Sequence, residues 1–308
     1  MTISACLSVG PKYEAPALET YQDAWVAGDS AVLAPGAVLD ADWWLAFNDP
    51  LLTRLVEDAS TGNFDIREAQ ANIESARATV AAARSSRFPM GQLTAGVTRQ
   101  KQSSASFGAD LPFEFSAQTQ YSAGAETSWE ADLFGRVGNS IAQADAALGG
   151  REAVAADTAR AVIAQTASSY LTLRELDARI HVNGQSLQRQ QDVLELTKQL
   201  RDAGEVADID VERQTNLVET TRAGIIALQS ARSETLAGLA RLTGRTVPDF
   251  SAEYPDLAPR ASQQLDPVEA FGPIAISSPL DLLRRRPDIR LAERQLAAAS
   301  YAINIETA

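Results

Sequence analysis

The spacing of apolar residues along the chain changes from a helical period to a strand period and back. Between Phe64 and Arg87, apolar residues recur at spacings of three and four without Gly or Pro, which predicts an amphipathic helix. Between Phe113 and Thr127, aromatic residues and alanines occupy one parity and mostly polar residues the other. This alternation predicts a long strand.

A weaker alternation from Leu93 to Val97 predicts a partner strand, joined to the first by a polar loop of Ser and Gly near residues 102 to 110. The two strands together predict a β-hairpin with one apolar and one polar face. Such a strand pair is the unit of a transmembrane β-barrel, but the same pattern fits a half-buried sheet in a soluble protein. The predicted membrane-strand positions are Leu93, Ala95, Val97, Phe113, Phe115, Ala117, Tyr121 and Ala123.

A very long helix is predicted after this hairpin. No proline lies between Val137 and Arg201, and leucine or isoleucine recurs every seven residues from Leu173 to Leu194, which is the spacing of a coiled-coil seam. At about 1.5 Å per residue this helix would extend about 100 Å. Gly149-Gly150 and Asn183-Gly184 are expected to be weak points where the helix bends.

The same spacing of seven resumes with Val211, Val218, Ile225 and Leu239. A second helix joined to the first by a short turn must run antiparallel to it, so we expect a helical hairpin with its tip near residues 201 to 208. Asp208 is the expected N-cap of this second helix and Gly244 its C-terminal cap. A soluble coiled-coil scaffold would show the same periodicity.

The regions on either side of these helices contain many prolines. Residues 7 to about 42 and 246 to 281 are expected to be extended or irregular for this reason. Beyond the second region, the sequence Asp288-Ile289-Arg290-Leu291-Ala292 shares all but one residue with Asp65-Ile66-Arg67-Glu68-Ala69. This match predicts the start of a second copy of the structural unit that begins near residue 64.

The composition argues against several classes of function. The chain has 308 residues, a net charge of −13 and only 6% aromatic residues, and its scattered basic residues argue against nucleic acid as a partner. His181 is the only histidine and is expected to be a surface or seam residue, so no catalytic, metal or cofactor site is predicted.

The only cysteine, Cys6, follows the small residues Ser4 and Ala5. A lone cysteine can be an apolar filler, a reactive thiol or an acylation site. Its position near the amino terminus favours acylation, although a stray thiol near a terminus is an equally simple explanation. No uninterrupted apolar stretch is long enough for a transmembrane helix.

Several motifs, taken together, resemble the TolC-like outer-membrane efflux proteins, in particular their NodT-type lipoprotein branch. The resemblance covers nearly the whole chain. It rests on Cys6 after small residues, Val9-Gly10-Pro11-Lys12-Tyr13, Trp43-Trp44 with Asp49-Pro50-Leu51, Trp129-Glu130-Ala131-Asp132-Leu133-Phe134-Gly135-Arg136, and Asp281 to Arg290.

The resemblance implies a homotrimeric outer-membrane channel, lipid-anchored and extending into the periplasm. Each protomer of this family gives strands to a shared β-barrel and long helices to a periplasmic tunnel. A periplasmic adaptor protein and an inner-membrane transporter deliver drugs or other small molecules to this passive conduit. On this chain the resemblance implies palmitate on Cys6, and an adaptor-docking tip formed by Arg201, Ala203, Gly204, Glu205 and Asp208.

The expected fold is therefore mainly α, with a transmembrane β-hairpin, long antiparallel coiled-coil helices and an incomplete second repeat. We also expect the front of an export signal and the rest of the second repeat to lie outside this sequence. A truncated, nonfunctional remnant and a soluble coiled-coil scaffold are the alternatives to a channel subunit. The expected regions are a lipobox and leader (1–42), first periplasmic helices (43–87), membrane hairpin (88–128), long helical hairpin (129–245), connector (246–285) and second-repeat start (286–308).

Overall fold

The computed structural model describes residues 10–17, 33–35, 42–102, 116–258, 274–276 and 279–308. The predicted mainly α fold, with one β-hairpin and a long helical hairpin, is confirmed. In chain order the elements are β1 (Leu33–Pro35), α1 (Pro50–Gly62), α2 (Phe64–Ser85), β2 (Met90–Gln100), β3 (Gln118–Ser128), α3 (Arg136–Asp202), α4 (Asp208–Leu242), α5 (Val247–Glu253), β4 (Ile274–Ile276), α6 (Pro279–Arg285) and α7 (Pro287–Thr307), with 3-10 turns at Trp43–Phe47 and Pro255–Leu257.

The first of two structural units comprises residues 1–15, 74–149 and 293–308. It contains the antiparallel pair β2 and β3, whose register joins Met90 to Ser128 at one end and Gln100 to Gln118 at the other. Each strand is 11 residues long. The predicted hairpin is therefore present. Strand β2 extends beyond the predicted Leu93–Val97 at both ends, whereas β3 begins at Gln118, so Ala117 of the predicted strand lies before it.

The second unit comprises residues 16–73 and 150–292 and contains a hydrophobic core. Side chains from α1, α3, α4 and α5 meet there because each of these helices carries an apolar stripe. Of the two tryptophans before α1, Trp44 belongs to this core, whereas Trp43 remains 41% exposed. The buried members are Trp44, Leu52, Leu55, Val56, Ala167, Tyr170, Leu173, Leu239, Ala240, Phe250, Tyr254 and Leu257.

Two tyrosine hydroxyls join elements of this core to carboxylates. The Tyr170 hydroxyl donates to Asp49 Oδ2 at 2.5 Å, and the Tyr254 hydroxyl donates to Asp58 Oδ2 at 2.6 Å. Asp49 also caps α1, because its Oδ1 accepts from the backbone N–H of Leu51 at 2.9 Å. Burial raises the pKa of both tyrosines, and the hydrogen bonds to the carboxylates raise it further.

The end of α1, the start of α2 and the end of α4 meet at Asn63. This side chain is 2% exposed; its Oδ1 accepts from the N–H of Asp65 at 2.8 Å, and its Nδ2 donates to the carbonyl of Leu242 at 2.9 Å. Gly244 ends α4 as predicted, with φ of 68°. The N–H of Arg245 donates to the carbonyl of Ala240 at 2.9 Å, as in a Schellman cap.

The predicted seam between α3 and α4 is confirmed by burial. Leu173, Val211, Val218 and Leu239 are buried, whereas the other predicted seam positions, Ile180, Leu187, Leu194 and Ile225, are partly buried. Gln214 Nε2 donates to the carbonyl of Gln190 at 3.3 Å. These contacts place the two helices side by side and antiparallel within the second unit.

The sequence predicts bends at the Gly149-Gly150 and Asn183-Gly184 pairs, but the helix is not interrupted at either pair. Helix α3 is continuous across both pairs. Its other residues are mostly good helix formers, and they outweigh the cost of about 1 kcal/mol for each glycine.

The described residues of the proline-rich region after α4 include short regular elements. Thr246 caps α5, and Pro248 lies within the first turn of this helix, where a proline removes no helical hydrogen bond. The backbone of β4 pairs in parallel with β1, with Leu33 opposite Ile274. Within these described residues, prolines therefore do not exclude regular structure.

Candidate functional site: the strand hairpin and the helical tip

The register of β2 and β3 aligns the apolar positions of the two strands on one face. Leu93 lies opposite Ala125, Ala95 opposite Ala123, and Val97 opposite Tyr121. Leu93 is 86% exposed and Tyr121 is 78% exposed. Within the described residues this apolar face is therefore uncovered.

The other face of the hairpin carries polar and small residues. Thr94 lies opposite Gly124, and Gly96 lies opposite Ser122. The Thr94 hydroxyl donates to the carbonyl of Gly124 at 3.4 Å, and the Ser122 hydroxyl donates to that of Gly96 at 3.4 Å. A Cβ on Gly96 would lie 3.0 Å from Ser122 Oγ, so each glycine leaves room for the hydroxyl across from it.

A compact joint connects β3 to α3. The Trp129 indole Nε1 donates to the carbonyl of Arg87 at 3.2 Å. Asp132 caps α3, with Oδ2 accepting from the N–H of Gly138 at 2.8 Å. Arg136 makes a two-pronged ion pair with Glu130, including an Nε to Oε1 distance of 2.7 Å. The motif from Trp129 to Arg136 thus turns the chain from a strand into a helix.

Large apolar side chains surround this joint and remain exposed. Phe88 is 70% exposed, Met90 64%, Trp129 60% and Phe134 56%. Aromatic residues at the end of a strand are typical of a boundary between an apolar and an aqueous phase.

The predicted tip of the helical hairpin is a tight turn at the end of α3. Gly204 has φ of 80°, and the N–H of Glu205 donates to the carbonyl of Leu200 at 2.9 Å. This is a Schellman cap, which favours glycine because φ is positive. Ala203, Gly204 and Glu205 are all exposed.

Arg201 joins the two helices across this turn. It pairs with Asp202 at 2.8 Å and with Asp208 at 3.6 Å. The prediction that Asp208 caps α4 is wrong: Ala207 occupies the N-cap position, and Asp208 is the first helical residue. A carboxylate in the first turn still favours the helix through the macrodipole, and Asp208 is close enough to pair with Arg201.

A second apolar stripe lies near the tip and is not among the predictions from the sequence. The heptad spacing marks only the seam between α3 and α4, whereas exposed apolar side chains occupy another part of the surface of α3 and the start of α4. Spacings of three and four between these residues on α3 would have revealed them. They are Val193 (50% exposed), Leu196 (55%), Leu200 (39%) and Ile209 (55%).

The two predicted repeat starts have matching local structure. Asp65 lies in the first turn of α2 and Asp288 in the first turn of α7. Both line a groove of about 680 Å³ in the second unit, together with Asp157 of α3. The hydrogen bonds from Arg286 lower the pKa of the Asp288 carboxyl to about 2.

Some predicted positions lie outside the described residues. These are Cys6, Phe113 and Phe115; Ala117 is described and lies immediately before β3. Among the helices of the described segments, none is long and apolar enough to cross a membrane. A search of the same segments finds no group of three or more His, Cys, Asp or Glu side chains arranged to hold a metal ion.

Comparison with known proteins identifies the family. The outer membrane efflux protein family matches residues 55–245. The chain belongs to the outer membrane efflux protein family. This membership confirms the resemblance seen in the sequence motifs and supports localisation in the outer membrane.

Relatives with established names agree with this membership. This chain is 30% identical to nodulation protein T of Rhizobium leguminosarum bv. trifolii, over 100% of this chain and 62% of that protein. It is also 30% identical to the toluene efflux pump outer membrane protein TtgF of Pseudomonas putida, over 98% of this chain and 62% of that protein. The chain thus spans about three fifths of the length of these relatives.

A solved structure gives the same result for the fold. The outer-membrane channel OprN superposes with a TM-score of 0.79 at 32% identity, over 97% of this chain and 64% of that one. The fold of this chain is therefore similar to that of an outer-membrane channel.

Proposed function

We propose that this chain forms part of the wall of an outer-membrane efflux channel, a passive conduit for drugs or other small molecules. In this proposal β2 and β3 cross the membrane, and α3 and α4 form part of a periplasmic tunnel. The mechanism involves no bond chemistry, and we assign no catalytic residue. The exported compounds reach the exterior through water-filled space, and an inner-membrane transporter supplies the energy.

The observation that carries this proposal is the two-faced strand hairpin. Strands of 11 residues extend about 36 Å, and a tilt of about 45° reduces the span to about 25 Å, the height of the apolar band of an outer-membrane barrel. The apolar face, with Leu93, Val97 and Tyr121, would face lipid. The polar face, with Thr94, Thr98 and Gln120, would face the aqueous interior.

The backbone of this hairpin requires neighbouring strands in a membrane. Within the described residues, β2 and β3 pair only with each other, so the outer edge of each has unpaired N–H and C=O groups. Lipid cannot satisfy these groups. We propose that strands from further copies of the protein complete the sheet, in a homotrimer.

The exposed stripe near the tip supports the proposal that the helical hairpin packs against a partner. An exposed row of Val193, Leu196 and Leu200 on α3 would pack against a neighbouring helix, as expected in a tunnel wall. The turn at Arg201, with its exposed neighbours, would contact a periplasmic adaptor protein.

For Cys6 we propose acylation with palmitate. The support comes from the small residues Ser4 and Ala5 immediately before it, and from the family to which the chain belongs. A lipid on Cys6 would attach the protein to the outer membrane independently of the strands.

Reconstitution tests the channel proposal. The purified 308-residue chain is added to planar lipid bilayers, and its oligomeric state is measured by chemical cross-linking in vesicles. We expect trimers and discrete conductance steps. A monomer that stays in the aqueous phase and gives no conductance would contradict the proposal and favour the soluble coiled-coil scaffold.

The lipid proposal has a separate test. Cells that express the chain behind an export signal are grown with labelled palmitate, and the label on the protein is measured. We expect labelling of the original chain and none of Cys6→Ser. Equal labelling of both proteins would show that the lipid is attached elsewhere.

Contact with an adaptor is tested by site-specific photocross-linking. A photoreactive residue at Ala203, on the tip, should cross-link to the adaptor of the partner pump. The same residue at Glu175, exposed on α3 well away from the tip, is the control and should give no adduct. Equal adducts at both sites would contradict docking at the tip.

A further inference from the structure

Residues 10–13 lie against α7 in the first unit. The carbonyl of Pro11 accepts a hydrogen bond from Asn304 Nδ2 at 3.1 Å. The Tyr13 hydroxyl donates to Glu293 Oε1 at 2.5 Å. Partial burial and this hydrogen bond raise the pKa of Tyr13 to about 12. The segment is thus fixed at two points along one helix.

These two points belong to a single face of α7. Glu293, Ala297, Tyr301 and Asn304 follow one another at spacings of four, four and three, which places them in one row along a helix. Ala297 is 1% exposed, and the Tyr301 ring centre lies 6.1 Å from that of Tyr13. Residues 10–13 therefore run along this row, from Asn304 toward Glu293.

The closest approach requires a glycine at position 10. Gly10 has φ of 110°, and a Cβ there would lie 2.1 Å from Asn304 Oδ1. Both the backbone conformation and the lack of space exclude a side chain. The glycine thus permits the main chain to lie directly on a buried asparagine that is 4% exposed.

Asn304 also connects this segment to the start of α3. Its Nδ2 lies 3.4 Å from Asn139 Oδ1, and Asn139 Nδ2 donates to the carbonyl of Gly135 at 2.8 Å. Gly135 belongs to the joint through which β3 enters α3. A continuous set of polar contacts therefore leads from Pro11 to the base of the strand hairpin.

We propose that residues 10–13 are a docking strap, which holds the amino-terminal chain at the base of the strand hairpin and so positions the lipid on Cys6. Cys6 precedes Gly10 by four residues, which can span no more than about 14 Å. The strap keeps the acylation site within this distance of Gly10, which lies against Asn304 and is thus connected through Asn139 to the joint. The part of this inference that concerns the lipid rests on the proposed acylation of Cys6.

Cleavage by a lysine-specific protease tests the strap. The lysines of the chain are Lys12, Lys101 and Lys198, so a cut after Lys12 reports on the strap and a cut after Lys198 reports on α3. A protease acts on the transiently opened segment, and its rate follows the population of that open form. The assay uses the full 308-residue chain.

Asn304→Ala removes the contact with Pro11, and Gly10→Ala introduces a clash. We expect either change to accelerate cleavage after Lys12 at least tenfold, with cleavage after Lys198 unchanged. Ile303→Ala is the matched control, because Ile303 precedes Asn304 on α7 and is 57% exposed. The protease should cut this variant after Lys12 at the same rate as the original chain. Equal rates for Asn304→Ala and Ile303→Ala would overturn the proposal.

Tyr13→Phe provides a second test that leaves the asparagine cluster intact. It removes only the hydroxyl that binds Glu293, and we expect a several-fold acceleration after Lys12. The strap would also be refuted if the original chain is cut after Lys12 as fast as a synthetic peptide of residues 8–17. Circular dichroism of each variant verifies that its helices are intact.

The strap and the lipid proposal can fail independently. Protection of Lys12 is measured in the original chain and in Cys6→Ser, and we expect the same protection in both. If Lys12 is unprotected while palmitate labels Cys6, the strap is wrong and the anchor stands. If Lys12 is protected and Cys6 is unlabelled, the strap holds the chain but positions no lipid.

Discussion

The ion pair between Arg232 and Asp177 gives a quantitative test of how the helical hairpin is held together. Arg232 of α4 donates through Nε to Asp177 Oδ1 of α3 at 2.5 Å, and its terminal nitrogen donates to the carbonyl of Leu257. The side chains are only 9% and 19% exposed. Removing one partner leaves the other charge in a site that water hardly reaches.

We expect Asp177→Asn to lower the free energy of unfolding by about 3–5 kcal/mol, the cost of breaking a buried ion pair by removing one partner. Arg232→Met should lower it by a smaller amount, because Asp177 retains more contact with water. The double variant should lose less than the sum of the two single variants, because no unpaired charge remains.

Urea denaturation followed by far-ultraviolet circular dichroism measures these differences. With a slope of about 3 kcal/mol per M, Asp177→Asn should lower the midpoint by about 1–2 M. The control is Arg179→Met, which removes an exposed pair with Glu175 on the same helix and should cost less than about 1 kcal/mol. Strictly additive effects, or equal effects of Asp177→Asn and Arg179→Met, would show that this buried ion pair stabilises the helical hairpin no more than an exposed pair does.

Three further predictions concern α2, α7 and the strand hairpin. Asn63→Ala should cost about 2–4 kcal/mol in urea denaturation, because a helix cap and a buried hydrogen bond are both lost; Asn63→Ser, which retains a cap acceptor, should cost about 1 kcal/mol less. Arg286→Ala should raise the pKa of Asp288 from about 2 toward about 3.9, measured by carboxyl titration in NMR. In the original chain the stabilisation from this carboxylate is complete above about pH 4 and is lost as the pH falls toward 2. Ala95→Arg, on the apolar face, should weaken folding into lipid vesicles by about 2–4 kcal/mol, whereas Thr94→Arg, on the polar face, should cost less than about 1 kcal/mol. If Arg286→Ala loses as much stability between about pH 4 and pH 2 as the original chain, the prediction for Asp288 is wrong. If the arginine substitutions at positions 94 and 95 weaken folding into vesicles equally, the prediction for the two faces is wrong.

Elements with a clear period could be predicted from the sequence. The alternation around Tyr121 predicts the apolar face of β3, and in the structure this face aligns with that of β2, with Tyr121 opposite Val97. The register itself is not predicted by the alternation, because a shift of two residues would keep the same faces. The predicted helix from Val137 to Arg201 differs by one residue at each end from the observed α3. Strong periodicity over many residues determines which side of an element is buried, and this explains the agreement.

Helix ends and long-range polar contacts could not be predicted in this way. The cap at Asp208 was assigned one residue too late, because the choice between Ala207 and Asp208 depends on backbone conformation at the turn. The contact of Tyr170 with Asp49 joins residues 121 positions apart, and that of Asn304 with Pro11 joins residues 293 apart. No local pattern contains this information.

The proposed channel requires that the strand hairpin crosses a membrane with one face in lipid. Nitroxide labels placed singly along β2 and β3, in a Cys6→Ser background refolded into vesicles, report contact with lipid-soluble oxygen and with a water-soluble nickel complex. We predict that labels at Leu93, Ala95, Val97, Tyr121 and Ala123 contact oxygen, and that labels at Thr94, Thr98, Gln120 and Ser122 contact nickel. Access of the nickel complex to every position, with no alternation along either strand, would show that the hairpin has no face in lipid.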